Sequence, residues 1–201
     1  HVYKTYFPDT IGGAEFVIHQ IAQGVAKHGV QTKILVMSQN NDTINHDGLT
    51  VHRCKKQLDI AATPFSISAF AKMKRLAAWA DIIHYTHPYP FADMLHFACR
   101  IKKPSLVTYQ SDIIKQRHWL KLYKPLQHQF LSQVDCIATT SPNYFQGSTT
   151  LARYAHKVKT ITLGLDANLY PQANAETKTY WKKRLPEKYF LFVGVLRYYK
   201  G

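Results

Sequence analysis

Acidic residues are scarce in this chain: 12 Asp and Glu stand against 26 Lys and Arg among 201 residues, a formal charge of +14 with histidine neutral. Cysteine is scarcer still. Cys54, Cys99 and Cys136 are odd in number and widely spaced, which argues against a disulfide framework or a Cys-rich zinc module and points to a reducing compartment. No uninterrupted run of about 18 apolar residues occurs, and no basic, apolar and small-residue leader opens the chain. Neither a spanning helix nor a signal peptide is therefore expected. Hydrophobic residues nevertheless make up 46% and charged residues 19%, enough apolar material for a core and too much for a solvated tail. Such a length suits one large α/β domain, or one domain with a fragment of another. His1 stands where Met would open a chain, and Lys200-Gly201 closely follow a strong strand signal. Both ends read as cut.

Repeats and low-complexity tracts are absent as well. Short β-branched runs alternate with segments of helical period, which predicts a Rossmann-like, doubly wound, mostly parallel α/β sheet. His1 to Tyr6 reads as a strand end that runs into Phe7-Pro8-Asp9-Thr10-Ile11-Gly12-Gly13, a loop set by Pro and paired Gly. Ala14, Val17, Ile18, Ile21, Ala22, Val25 and Ala26 then repeat at three and four, and the helix stops at Lys27-His28-Gly29. Strands are predicted at 32–37, 49–53, 80–85, 105–109, 134–140 and 159–163, with helices at 66–79, 92–101, 114–133 and 142–154. The stretch 40–48 is polar and read as loop. After a charged, Pro-containing connection, Tyr189 to Gly194 reads as the first strand of a second domain, so 1–186 and 187–201 are the expected divisions.

Three constellations could carry chemistry. Gly12-Gly13 lies between a strand end and a helix N-terminus, where free N–H groups and the helix dipole favour an anion, though paired glycines also serve as plain turn residues. The dinucleotide fingerprint G-x-G-x-x-G is missing. Next come three polar strand exits: Tyr85-Thr86-His87-Pro88, Tyr109-Gln110-Ser111-Asp112 and Thr140-Ser141-Pro142-Asn143. Polar exits sharing one carboxyl rim argue for a cleft, while Ser141 as a helix cap and Asp112 as a turn cap explain the same residues structurally. The last is electrostatic. From Ile113 to Val134 no acid occurs, and Lys115, Arg117, Lys121 and Lys124 interleave with Trp119, Leu122, Tyr123, Leu126 and Phe130. This basic amphipathic segment either faces an anionic membrane surface or packs its apolar face on the sheet, with Pro125 expected to bend or break it.

Other chemistries lack their motifs. His84 and His87, with His96 nearby, point to opposite strand faces and have no carboxylate or Cys beside them, so no metal site is predicted. No G-x-S-x-G elbow supports a hydrolase triad. The aromatics show no RNP-type pattern and no zinc-finger spacing appears, so nucleic acid is not the expected partner despite the charge. Arg197 and Lys200 stand just past the last strand signal, where two cations could neutralise a diphosphate.

Taken in order, Phe7-Pro8-x-x-x-Gly12-Gly13-Ala14-Glu15, Ala80-Asp81-Ile82-Ile83-His84, Thr108 to Ile113, Ala138 to Tyr144, Leu163-Gly164-Leu165-Asp166 and Phe192-Val193-Gly194 to Lys200-Gly201 form a series. It resembles the retaining GT-B glycosyltransferases of glycosyltransferase family 4. The resemblance implies an acceptor-side N-terminal domain followed by the opening of a donor domain. It implies that Gly12, Gly13, Arg197 and Lys200 contact a nucleotide-sugar donor, GDP- or UDP-linked, and that His87, Gln110, Ser111 and Asp112 line the acceptor side. It further implies retaining transfer to a glycan or lipid-linked acceptor without metal or other cofactor. Separately, the acid-free 113–134 segment leads to the expectation of a cytoplasmic protein docked at the inner face of the plasma membrane through Lys115, Arg117, Trp119, Lys121 and Lys124. Many relatives carry His where Gln110 stands, and a Gln can hydrogen-bond a hydroxyl but cannot serve as a base. No catalytic residue is assigned. The fragment alone is expected to be inactive, and the alternatives are a non-catalytic anion- or membrane-binding α/β module or a nucleotide-sugar epimerase.

Overall fold

Strands covered on both faces need apolar residues throughout, and the β-branched and aromatic runs of this chain supply them. The computed structural model describes residues 1–113, 117–164 and 172–194, with backbone alone at 117–121. It contains two compact units, His1–Leu165 and Asp166–Gly201, and the sheet lies in the first.

The helix expected after the paired glycines is α1 (Gly13–Ala26), which buries Ile18 and Ala22. Gly29, at a φ of +78°, adopts the left-handed backbone that follows many helix ends. β1 (Lys33–Ser38) comes next and is almost wholly buried. The polar 40–48 stretch is not all loop: β2 (Thr43–His46) turns through Asp47 and Gly48 into β3 (Leu49–Lys55). Both turn residues have positive φ, which an Asp-Gly pair accommodates, whereas an exposed edge strand needs no apolar signature. A second unpredicted feature is the small antiparallel ribbon of β4 (Leu58–Ile60) and β5 (Thr63–Phe65).

From there the alternation proceeds as expected through α2 (Ser68–Trp79), β6 (Ile83–His87), α3 (Pro90–Ala98), β7 (Ser105–Tyr109), α4 (Arg117–Gln133) and β8 (Cys136–Thr139). Of the bend or break expected at Pro125, the break does not occur: α4 continues through it. The helical stretch predicted at 142–154 divides into α5 (Pro142–Gly147) and α6 (Thr149–Ala152) because Ser148 restarts the helix, its hydroxyl accepting the Leu151 N–H at 3.3 Å. β9 (Val158–Thr160) completes the sheet.

β1 pairs in parallel with β3, β2 lies antiparallel outside β3, and β6, β7, β8 and β9 pair in parallel in that order. Val2 joins the two sets by parallel bridges to Leu35 and Tyr85. Its N–H donates to His84 O at 2.8 Å, and its carbonyl accepts from Thr86 N–H at 3.2 Å. Tyr3 N–H donates to Leu35 O on the other side. The first residues are thus the middle of a doubly wound sheet, and connections leave them in both directions.

In the second unit, α7 (Ala175–Arg184) is capped by Asn174, whose Oδ1 accepts the Thr177 N–H at 2.7 Å. Tyr189 to Gly194, predicted as a strand, carries no strand pairing, and Phe190 is fully exposed. Ladder hydrogen bonds need a neighbour, and the described residues of this unit contain no strand.

Val2→Pro removes the donor at the sheet's centre and deforms a buried position. We expect a loss of about 3 kcal/mol in urea unfolding. A change below about 1 kcal/mol would mean that side-chain packing, not the Val2 main chain, joins the halves.

Candidate functional site

In an open parallel sheet the carboxyl rim at the change of winding direction is where loops part and leave a crevice. Here that point lies between the 1–4 segment and β6, so the loop after each borders it. The first is Phe7–Gly13. Asp9 anchors it, accepting from Ser38 Oγ at 2.5 Å and from Arg53 Nη1 at 2.9 Å. Arg53 also grips Asp42 in two-pronged fashion, at 2.7 and 2.6 Å. That hydrogen bonding holds the Asp42 carboxyl below its usual range and raises the Arg53 guanidinium above its own.

The two glycines differ in surroundings. Glu15, in the first turn of α1, is buried, and its Oε1 accepts from Thr5 Oγ1 at 2.5 Å and Thr10 Oγ1 at 3.2 Å. A Cβ on Gly12 would meet the other Glu15 oxygen at 2.5 Å, whereas one on Gly13 would meet nothing within 4 Å. Gly12 therefore makes room for the carboxylate of its own helix. Gly13 presents open backbone at a helix N-terminus.

The other side of the crevice is built on β6 and β7. His87 is 1% exposed and stacks on Tyr109 with centroids 4.3 Å apart and planes 11° from parallel. Gln127 Nε2 donates to His87 Nε2 at 3.0 Å, which leaves the proton on Nδ1, facing the Ser111 main chain without a well-formed hydrogen bond. Asp112 then gathers three hydroxyls: Tyr109 at 2.7 Å and Ser148 at 3.3 Å on one oxygen, Tyr144 at 3.1 Å on the other. The Gln110 N–H donates to His87 O at 3.1 Å, its side chain is half-buried, and Ser111 is exposed. Thus His87 lies beneath the rim, Asp112 ties it to α5 and α6, and Gln110 and Ser111 form its surface. Ser141 caps α5 by accepting the Tyr144 N–H at 3.1 Å.

An apolar groove of about 290 Å³ opens beside Ile113, between the β4–β5 ribbon, α3 and α4, and is lined by Phe65, Met94, Leu122 and Leu126 among others. Sequence reasoning missed it, together with the Asp9–Arg53–Asp42 cluster and the buried Asp93, which accepts from Tyr123 OH. Burial pushes the Asp93 carboxyl well above its usual range. Of the residues expected on a membrane face, Lys124 and Leu122 are exposed on α4, but Phe130 is fully buried against Tyr85 and His96. Packing on the sheet is therefore the correct reading for Phe130. Lys115, Arg197 and Lys200, and the side chains of Arg117, Trp119 and Lys121, lie outside the described residues.

A family model described as Glycosyltransferase Family 4 matches residues 11–169. D-rhamnosyltransferase WbpZ of Pseudomonas aeruginosa is 44% identical over an alignment that takes in 100% of this chain and 53% of that protein. O-antigen chain mannosyltransferase C of Escherichia coli is 43% identical, with 100% and 54% covered. The chain thus spans about half the length of the curated relatives it matches. Among solved structures, sucrose-phosphate synthase from Thermosynechococcus elongatus is similar at a TM-score of 0.60 and 17% identity, covering 91% of this chain and 49% of that one. Anabaena HepE in complex with UDP and glucose is similar at 0.55 and 18%, covering 91% and 49%. At those identities the likeness speaks for the fold alone.

Burial holds the His87 ring near 3, against an ordinary 6.5, with Asp112 and the Ser111 main chain pulling weakly the other way. Unfolded chains take up a proton near pH 6.5 that the folded ring refuses. Stability from this group is therefore complete above pH 6.5 and falls as pH drops toward 3, by up to about 1.4 kcal/mol per pH unit. In His87→Gln, which keeps a polar side chain beside Gln127, the acid limb of a urea-stability profile should flatten by roughly one proton. An unchanged slope would mean that the ring titrates normally in the fold.

Proposed function

The chain belongs to glycosyltransferase family 4, and on that basis we propose that it is the acceptor-side half of an enzyme that transfers a sugar, with retention, from a GDP- or UDP-linked donor to a glycan or lipid-linked acceptor. The observation that carries the proposal is the rim itself. Open helix N-terminal backbone at Gly13 stands on one side of the sheet's change of direction, and the Gln110–Asp112 loop on the other. One side suits a diphosphate, and the other offers amide and hydroxyl groups that bond sugar hydroxyls. The two curated relatives are named for rhamnosyl and mannosyl transfer, which supports a hexosyl or deoxyhexosyl donor and a place in polysaccharide assembly.

Among the described residues of the rim, no acid or base is placed to act on an acceptor hydroxyl. Gln110 is neutral, Asp112 is engaged by three hydroxyl donors, and His87 is buried. The chemistry this half supplies is orientation, and the leaving diphosphate takes the acceptor proton. In this reading the segment from residue 187 opens the donor domain, with Arg197 and Lys200 neutralising the diphosphate as charge develops on it. This half alone does not turn over.

Gly13→Val in the full-length protein tests the open backbone. Nothing surrounds a Cβ there, so the fold should be kept while turnover of the nucleotide sugar falls about 10- to 100-fold. Unchanged turnover would remove Gly13 from the donor site.

Membrane docking is a further part of the proposal. The segment from Ile113 to Val134 holds no acid, Leu122 and Lys124 are exposed, and the apolar groove beside Ile113 suits a lipid-linked acceptor. Among the described residues no helix is long and apolar enough to cross a membrane. Cosedimentation with vesicles should require anionic lipid and weaken as salt rises. Equal binding to neutral vesicles would overturn the electrostatic basis.

A further inference from the structure

His19 of α1, His46 of β2 and Asp47 of the following turn converge on one point. Their ligand atoms all lie within 4.8 Å of one another. His19 Nε2 is 3.7 Å and His46 Nε2 3.6 Å from the same Asp47 oxygen. Both separations are too long for hydrogen bonds. They are close to what a metal ion imposes: with bonds of about 2.0–2.1 Å in tetrahedral geometry, neighbouring ligand atoms stand about 3.3 Å apart. A closure of a few tenths of an ångström on these two edges, with the two imidazole nitrogens drawn in from a separation of at most 4.8 Å, would complete the arrangement.

Surrounding groups hold the donors in a ligating pose. The Tyr6 hydroxyl bonds His19 Nδ1 at 2.8 Å, which fixes the ring and leaves Nε2 for an ion, as an outer partner does in protein metal sites. Phe7 stacks on His46 at 5.5 Å and meets His19 edge-on at 5.6 Å. Asp47 sits at a φ of +49°, and its carbonyl accepts from Gln23 Nε2 of α1 at 2.6 Å, so the turn is tied to the helix that carries His19. The His19 side chain is 11% exposed and that of Asp47 64%, which gives a shielded floor and an open mouth.

We propose that His19, His46 and Asp47 form a binding site for a divalent transition-metal ion, zinc foremost, with a coordination position open to solvent. Two imidazoles and one carboxylate suit zinc, cobalt or nickel, whereas magnesium and calcium call for oxygen ligands. The ion's role here is positional. It pins α1 to the β2–β3 hairpin directly beneath Phe7, the first residue of the loop that ends in Gly12 and Gly13. The site stands on its own geometry and is separate from the sugar-transfer reading.

Untagged protein dialysed against zinc should retain one equivalent, and cobalt should give the intense visible bands of a four- or five-coordinate site. Asp47→Asn is the principal variant, because Asn tolerates the left-handed backbone and so preserves the turn while deleting the charged ligand. It should weaken zinc binding at least tenfold in calorimetry, as should His46→Gln, a half-buried and gentle change. His28→Gln, in the exposed turn after α1, should bind as the parent does. The proposal is overturned if the parent retains no zinc, if its cobalt spectrum is that of the hydrated ion, or if Asp47→Asn and His46→Gln bind zinc as tightly as the parent.

Discussion

The Val2 main chain is the constraint on which the rest of this fold depends. Its N–H and C=O bond β6, and the residues beside it bond β1, so one short segment serves two half-sheets that share no other described pairing. A side-chain interface could slide by a residue or two at modest cost, but a hydrogen-bonded ladder fixes register, and a slip of one residue would turn every side chain to the wrong face. With Val2 aligned to Leu35 and Tyr85, the exits of the 1–4 segment, β1 and β6 reach one rim together. The loop at Phe7–Gly13 and the exit at His87 are neighbours for that reason.

The two sides of the rim are held by different physics. On the Gly13 side an ionic cluster does the work, with Arg53 between Asp9 and Asp42 and a two-pronged bond to the latter. Such pairing has strict geometry, and one guanidinium can orient a loop and a strand entrance at once. On the Gln110 side the buried groups are neutral: an imidazole, an amide and a tyrosine stacked or bonded in series, with a single carboxylate at the outer end. Neutral groups suit the deeper position, because burying an unpaired charge costs several kcal/mol while burying a bonded amide costs little. The depressed His87 basicity follows from that placement.

Where burial repeats along the chain, the sequence foretells the fold. α1 was legible from Ile18, Ala22 and their neighbours at three and four, and the parallel strands from β-branched runs, because burial on a fixed face leaves a period. β2, β4 and β5 were not legible, being exposed or only three or four residues long. At the site, position could be read but partnership could not. The glycine pair and the 109–112 loop sit at recognisable places relative to strands. Asp9, Asp42 and Arg53 meet only after the hairpin folds, and no spacing announces them. The same holds for His19, His46 and Asp47, whose sequence neighbours gave no ligand pattern. Phe130 shows the reverse error: a basic segment with aromatics resembles an interfacial helix, yet its deepest aromatic is ordinary core.

The paired glycines finally need separate explanations. An anion at a helix N-terminus gains roughly 0.3–1 kcal/mol from the dipole, and in α1 that place is already taken in part by the helix's own Glu15 carboxylate. Thr5 and Thr10 hold this carboxylate on the Gly12 side, and the missing Gly12 side chain is what admits it. A second anion on the same side would meet like charge at close range. The Gly13 side is open and lies away from that contact, so the phosphate of the proposed donor would meet less like charge there. Gly12 thus accommodates an internal carboxylate bonded to Thr5 and Thr10, and Gly13 leaves its backbone open. The pair works because the two positions do not do the same thing.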